Sequence, residues 1–179
     1  MQVSFTANTH EPMIFQTTRL QIRPLYPDDI APFHEMQGNL NVMRYTTKRA
    51  HSLAEDGAEL QRLIGRYAEP GNDFWVWAIE RKDDGAFVGT CALILNEDEE
   101  HEIGFRFLEK YWGQGYGTEV ANGLVDYAMA LPGVTGLVAY VYSANIGSVK
   151  VLDRSPLVFE REFFNEKENC MDRVYRLRK

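Results

Sequence analysis

The sequence predicts an α/β protein of the α+β type, with one mixed, mostly antiparallel central sheet of about seven strands flanked by about four helices. Three observations predict it. Segments 74–80, 86–95 and 101–108 are strand-length and apolar, and short acidic turns join them, the pattern of an antiparallel meander. A glycine-rich loop at 111–119 then leads into a stretch of helical spacing and on to another strand, a βαβ unit. Of the 179 residues, 45% are hydrophobic and 25% charged, an ordinary globular balance and not that of a disordered chain.

Taken in order, residues 14–25 are rich in Thr and Ile, place Leu20 and Ile22 on one face, and are stopped by Pro24 and Pro27. Pro27-Asp28-Asp29 opens a short helix with acid in its first turn, where the helix dipole favours it. Ser52 stands three residues before Glu55, a capping box for a helix reaching about Tyr67. Leu53, Leu60, Leu63, Ile64 and Tyr67 form its apolar stripe. The meander follows, turning at Lys82-Asp83-Asp84-Gly85 and again at 96–100. Val120, Ala121, Leu124, Val125 and Ala128 carry a helix over 116–131, which Pro132-Gly133 ends. A strand at 136–142, a short helix at 145–154 and strands at 157–164 and 171–177 complete the chain. Residues 1–13 are polar and read as a tail ahead of one domain, 14–179.

Nineteen basic against 26 acidic residues give a net charge of −7. An acidic chain is a poor partner for nucleic acid, whose sequence-independent binding needs a basic face. Cys91 and Cys170 are far apart and fit a reducing cytoplasm better than a disulfide scaffold. No apolar run approaches the roughly 20 residues of a spanning helix, so no membrane partner is expected. His10, His34, His51 and His101 show no metal spacing. Trp75 and Trp77 share a strand face and read as core packing or a cleft wall.

The most informative segment is Tyr111-Trp112-Gly113-Gln114-Gly115-Tyr116-Gly117-Thr118-Glu119. Alternating glycines let backbone approach a ligand and turn N–H groups inward, and a helix N-terminus adds partial positive charge, so the loop suits phosphate. A P-loop is excluded because no lysine stands in the required place. A GxGxxG dinucleotide fingerprint fits poorly: its last position falls on Thr118 or Val120. A coenzyme A pyrophosphate loop is the third option.

Four segments together resemble the GNAT superfamily of N-acetyltransferases, most closely its RimJ/RimL-like branch. They are Thr18-Arg19-Leu20-Gln21-Ile22-Arg23-Pro24-Leu25, Glu102-Ile103-Gly104-Phe105, the loop at 111–119, and Asn145-Ile146-Gly147-Ser148. The resemblance implies acetyl-CoA as co-substrate, no metal, and a primary amine as acceptor, either a protein N-terminus or a small molecule. It implies that the loop Trp112, Gly113, Gln114, Gly115, Tyr116, Gly117 and Thr118 holds the pyrophosphate. The pantetheine arm would lie against Phe105, Arg106 and Phe107 like an added strand, with a backbone N–H near Phe107 or Leu108 polarising the thioester carbonyl. Asn145 would bind the pantetheine amides, and Ser148 would sit near the sulfur. Two departures stand out: Trp112 replaces the family's usual Gln or Arg, and Ser155-Pro156-Leu157 replaces Gly followed by an aromatic.

Acyl transfer to an amine needs a group that keeps the amine uncharged. Glu102 is the first candidate base, since it shares a strand face with Gly104 and Arg106. Glu160 and Glu162 are reserves. Competing structural roles are pairing of Glu102 with Arg106, and simple helix capping by Asn145. The acidic turn at 96–100 either is a solvated hairpin or attracts a cationic acceptor. The expected function is direct, ternary-complex N-acetyl transfer. The alternatives are a non-catalytic acyl-CoA-binding sensor or scaffold and, more distantly, a nucleotide-binding dehydrogenase. The sequence leaves room for a homodimer.

Overall fold

The computed structural model describes residues 13–179; the expected tail at 1–13 lies, but for Met13, outside the described residues. Eight strands form one open sheet in the order β1-β2-β3-β4-β5-β6-β8-β7. They are β1 (Phe15–Gln16), β2 (Leu20–Pro24), β3 (Phe74–Arg81), β4 (Phe87–Leu95), β5 (His101–Phe107), β6 (Gly136–Tyr142), β7 (Val158–Asn165) and β8 (Cys170–Arg178). The eighth strand arises because residues 14–25 fold as a hairpin instead of one strand. Thr17 closes its turn: its N–H donates to the Leu20 carbonyl at 2.8 Å and its hydroxyl accepts from the Leu20 N–H at 3.2 Å.

Five helices flank the sheet: α1 (Ile30–Gln37), α2 (Leu40–Met43), α3 (Leu53–Arg66), α4 (Tyr116–Ala130) and α5 (Ile146–Leu152). The additional one is α2, a single turn capped by the Asn39 side chain, which accepts from the Asn41 N–H. Pro27–Asp29 is a 3-10 turn leading into α1. The capping box of α3 is present as Ser52 and Glu55 predict. Replacing Ser52 by Ala is expected to cost about 1 kcal/mol in denaturant unfolding, the usual worth of such a cap.

The apolar residues divide between the two faces. On one, Val120, Leu124 and Ala128 of α4 pack with Ile22, Trp77, Ile103 and Tyr175. On the other, Phe33, Met36, Leu60 and Leu63 of α1 and α3 pack with Leu25, Ala78 and Leu108. Trp75 and Trp77 stack at 6.1 Å, and Trp77 meets Tyr127 edge-on, so this pair is core packing.

Every strand pair is antiparallel except β5–β6, which is parallel and registered at a single position, Glu102↔Val138. Parallel strands joined there diverge towards their C-terminal ends and leave a gap inside the sheet. Crevices of this kind, at the carboxyl ends of strands where the connection order reverses, are where open sheets bind ligands.

Candidate active site in the β5–β6 cleft

The gap exposes one edge of β5. Leu108 donates its N–H to the Val88 carbonyl of β4 at 3.0 Å. Backbone groups alternate sides along a strand, so Arg106, Gly104 and Glu102 also turn theirs to β4, while Phe105 and Phe107 turn theirs to the gap. This corrects the expectation for Leu108: it is 1% exposed, packed in the core on the α1/α3 face, and its N–H is already used. The carbonyl of Phe107 accepts the Trp112 indole N–H at 3.0 Å, so the aromatic at the loop's entrance is tied to the strand edge.

The glycine loop sits at the open end of this edge. Gly113 and Gly115 have φ of 73° and 81°, left-handed values that side chains disfavour, and Gly115 is the N-cap of α4. Among the described residues, no backbone N–H of Gly113 or of 115–118 donates a hydrogen bond within the protein, whereas those of Trp112 and Glu119 on either side do. Those free donors and the helix terminus form a cradle for an anion.

Sequence reasoning missed Arg19. Its guanidinium lies 4.5 Å over the Tyr116 ring, donates to the Gln114 carbonyl at 3.0 Å and pairs with Glu119 at 2.7 Å. The Thr17 hydroxyl and Arg19 N–H also reach Glu119, at 2.6 and 2.7 Å, and fasten the β1–β2 turn to the first turn of α4. No local spacing signals a pair a hundred residues apart.

A cleft of about 420 Å³ lies beside this gap on the α1/α3 face of the sheet. Glu102, Gly104, Phe105, Arg106, Asn145 and Ser148 all line it. Glu102 is half-buried, and that burial raises its carboxyl pKa; a hydrogen bond from Asn96 at 3.3 Å opposes the shift and the charge of Glu100 adds to it. Arg106 does not pair with Glu102: its guanidinium donates to Gln37 Oε1 at 2.7 Å. Asn145 caps α5, its Oδ1 accepting the Ser148 N–H at 3.2 Å, and it also lines the cleft.

Glu160 and Glu162 lie elsewhere, on the exposed β7. Glu160 pairs with Arg176 at 2.6 Å and Glu162 with Arg173 at 3.2 Å, and neither lines the cleft. Of the acidic turn, Glu100 is bound to Arg176, and only Glu102 beyond it reaches the cleft. Asp172, 4% exposed at the far wall and bonded by Asn165 at 2.7 Å, is a cleft residue the sequence did not single out.

The Pro156 departure has a local answer. Ser155 Oγ donates to the Leu152 carbonyl at 2.8 Å and accepts from the Leu157 N–H at 3.2 Å, so a serine hydroxyl closes α5 where a left-handed glycine would otherwise do so. Cys91 is buried, which raises its thiol pKa and leaves it a core residue. Among the described residues no helix is long and apolar enough to cross a membrane.

The GNAT acetyltransferase domain matches residues 19–156 of this chain. The chain is 25% identical over 142 residues to YoaA of Bacillus subtilis (strain 168), described as an uncharacterized N-acetyltransferase, covering 78% of this chain and 79% of that protein. Its fold is similar to a GNAT-family acetyltransferase from Bacillus anthracis, with a TM-score of 0.80 at 19% identity over 93% of this chain and 98% of that one. It is similar also to RimL, the ribosomal L7/L12 alpha-N-protein acetyltransferase in complex with coenzyme A, with a TM-score of 0.78 at 15% identity over 93% and 98% of the two chains. At these identities the two structures speak to the fold alone.

Proposed function

The chain belongs to the GNAT acetyltransferase family and is an acetyltransferase, and from that premise we propose that it transfers acetyl from acetyl-CoA directly to a primary amine held in the β5–β6 cleft. The observation that carries this is strand β5 itself, whose unpaired edge runs from the glycine loop at its C-terminal end and whose cleft is lined by both Glu102 and Ser148.

The residues present fit the donor. The free N–H groups of Gly113 and 115–118, with Arg19 alongside, suit a pyrophosphate in a protein whose net charge of −7 would otherwise repel it. The outward groups of Phe105 and Phe107, with the amide of Asn145, suit an amide-bearing arm laid along β5 as an added strand. Acetyl-CoA supplies an acyl group already activated as a thioester.

The remaining work falls to this chain. Glu102, its pKa raised by burial, accepts a proton from the acceptor ammonium so that a nitrogen lone pair is available. The Phe107 N–H, turned into the gap, hydrogen-bonds the carbonyl oxygen as charge develops there. As the new C–N bond forms and the C–S bond breaks, the nitrogen gives up its second proton to solvent, Ser148 Oγ donates a hydrogen bond to the departing sulfur, and solvent delivers the proton that the thiolate takes up. Residues 14–179 act as one domain. Two free cysteines are compatible with a reducing cytoplasm. The acceptor is either a small amine or a protein N-terminus, the second being what the RimL neighbour modifies by its description.

Release of free CoA, measured against a panel of amines and short peptides, tests this. Gly115→Val forces a β-branched residue into a φ of 81° and points methyls at the cradle. It is expected to raise the KM for acetyl-CoA at least about tenfold, the effect of roughly 1.4 kcal/mol. Tight acetyl-CoA binding with no transfer to any acceptor would instead favour a non-catalytic acyl-CoA sensor or scaffold.

A further inference from the structure

In the cleft beside α1, near the C-terminal end of β5, one buried hydrogen-bond donor has no acceptor and one guanidinium has no counter-ion. Gln37, the last residue of α1, is 4% exposed; its Oε1 accepts from Arg106, and its Nε2 is buried with no partner among the described residues. Arg106 has no carboxylate partner within ion-pair distance among the described residues. The carboxylates nearest to it are engaged by others. Glu59 is held by Arg62 at 2.7 Å, and the fully buried Asp56 by His34 at 2.6 Å and His51 at 3.0 Å. Burial accordingly weighs against the charge on Arg106. A half-buried guanidinium without a counter-ion and a buried amide N–H without an acceptor are both costly, and both line the cleft proposed for the acceptor.

Between Arg106 and Glu102 on the same face of β5 stands Gly104, where an added Cβ would meet nothing within 4 Å. The floor of the cleft is therefore open from the carboxylate of Glu102 to the donors of Arg106 and Gln37. Four residues of strand separate the two ends by about 13 Å between Cα atoms. Phe33, Leu63, Phe74 and Val76 add apolar surface to the cleft, Phe74 and Val76 standing level with Glu102 and Gly104 across β4.

We propose that the acceptor is a primary amine that also carries a carboxylate several bonds away, its carboxylate received by Arg106 and Gln37 Nε2 while its amine meets Glu102. This rests on the transferase reading above and adds the class of acceptor. The carboxylate fills both unmet needs at once: it accepts the Gln37 N–H and supplies the counter-charge that Arg106 lacks. The apolar wall suits a methylene spacer. A free ω-amino acid and a peptide N-terminus followed by an acidic residue share this chemistry.

The test compares acetylation of matched acceptors that differ only in the anion: 6-aminohexanoate against hexylamine, lysine against lysine amide, and C-terminally amidated peptides with Glu or Gln at their second residue. The carboxylate member of a pair is expected to win by about ten- to a hundredfold in kcat/KM, mostly through KM, as charge-assisted hydrogen bonds warrant. The pair showing the larger ratio identifies a small-molecule or peptide source. Arg106→Gln is expected to bring the ratio near one. Gln37→Glu provides an internal counter-ion for Arg106, and is expected to raise Tm and also abolish the preference, which a purely structural role for these residues would not do. Equal transfer within every pair overturns the proposal and leaves the transferase reading standing. Transfer to no amine overturns that reading instead. Titration of 6-aminohexanoate into the protein–CoA complex then decides the acceptor class without turnover: binding that Arg106→Gln removes supports it, and absence of binding overturns it.

Discussion

Replacing Glu102 by Gln is expected to lower kcat for acetyl transfer by roughly 10²–10⁴-fold, the range spanned by loss of a positioned general base. The substitution keeps the shape of the side chain and its place beside Asn96 while removing the only function a neutral amide cannot perform. The pH profile offers a second check. Because burial raises the carboxyl's pKa, the acid limb of kcat/KM for the wild type lies above the ordinary carboxylate range, and activity rises as Glu102 loses its proton. The Gln variant should lack that limb. Stability should move the other way. A group whose folded-state pKa is raised favours the fold while protonated, and that contribution is lost as pH rises through the raised value. At neutral pH the wild type therefore holds a desolvated charge which Gln does not. The variant's Tm is expected to exceed the wild type's, by a margin that grows as pH climbs from the ordinary carboxylate range. A Gln variant with unaltered turnover and no change in its profile would remove Glu102 from the mechanism.

The largest stability loss is expected at Arg23. Its guanidinium grips Asp29 with two bonds, of 2.8 and 2.9 Å, and Glu80 with a third of 2.6 Å. The Arg23 and Asp29 side chains are only 8% and 9% exposed. Asp29 in turn accepts the Tyr26 N–H at 2.8 Å, which sets the turn that launches α1. Although burial opposes the charge on Arg23, these two carboxylates hold its pKa above the usual value. Arg23→Leu would leave both acids without their partner, and breaking such a buried pair typically costs about 3–5 kcal/mol. In a chain of this length that lowers Tm by roughly 10 °C. Adding Asp29→Asn removes one stranded charge and is expected to recover part of the loss. A change below about 1 kcal/mol for Arg23→Leu would show that the cluster contributes little.

Features encoded over a few residues were legible before the fold was seen. Ser52 and Glu55 announce the start of α3 because both partners of the capping box lie within one turn. The acidic turns between β3, β4 and β5 announce a meander because hairpins are local. The glycines of the loop are readable because positive φ has a residue signature. What escaped was set by distance along the chain. Thr17 folds residues 14–25 into a hairpin whose first strand has two residues, too short for any periodicity. Arg19 finds Glu119, and Arg106 finds Gln37, across 100 and 69 positions. The choice between Phe107 and Leu108 stays open in the sequence because alternation alone does not say which neighbour a strand's N–H groups face; the Val88 bond decides it. The replacement of a glycine cap by Ser155 likewise depends on a hydroxyl rotamer and not on residue type.

The single register between β5 and β6 has a thermodynamic consequence. The two halves of the sheet are hydrogen-bonded at one position and are otherwise joined through α4 and α5, so the free protein carries an internal strand edge with no mate. A donor arm lying along Phe105 and Phe107 would complete the sheet, making substrate a temporary structural element as well as a reactant. Such linkage adds about 2.7 kcal/mol of stability at a ligand concentration a hundred times Kd. Melting temperature and resistance to proteolysis should therefore follow the acetyl-CoA supply, and the lifetime of the protein in a cell would register the metabolic state that also sets its turnover.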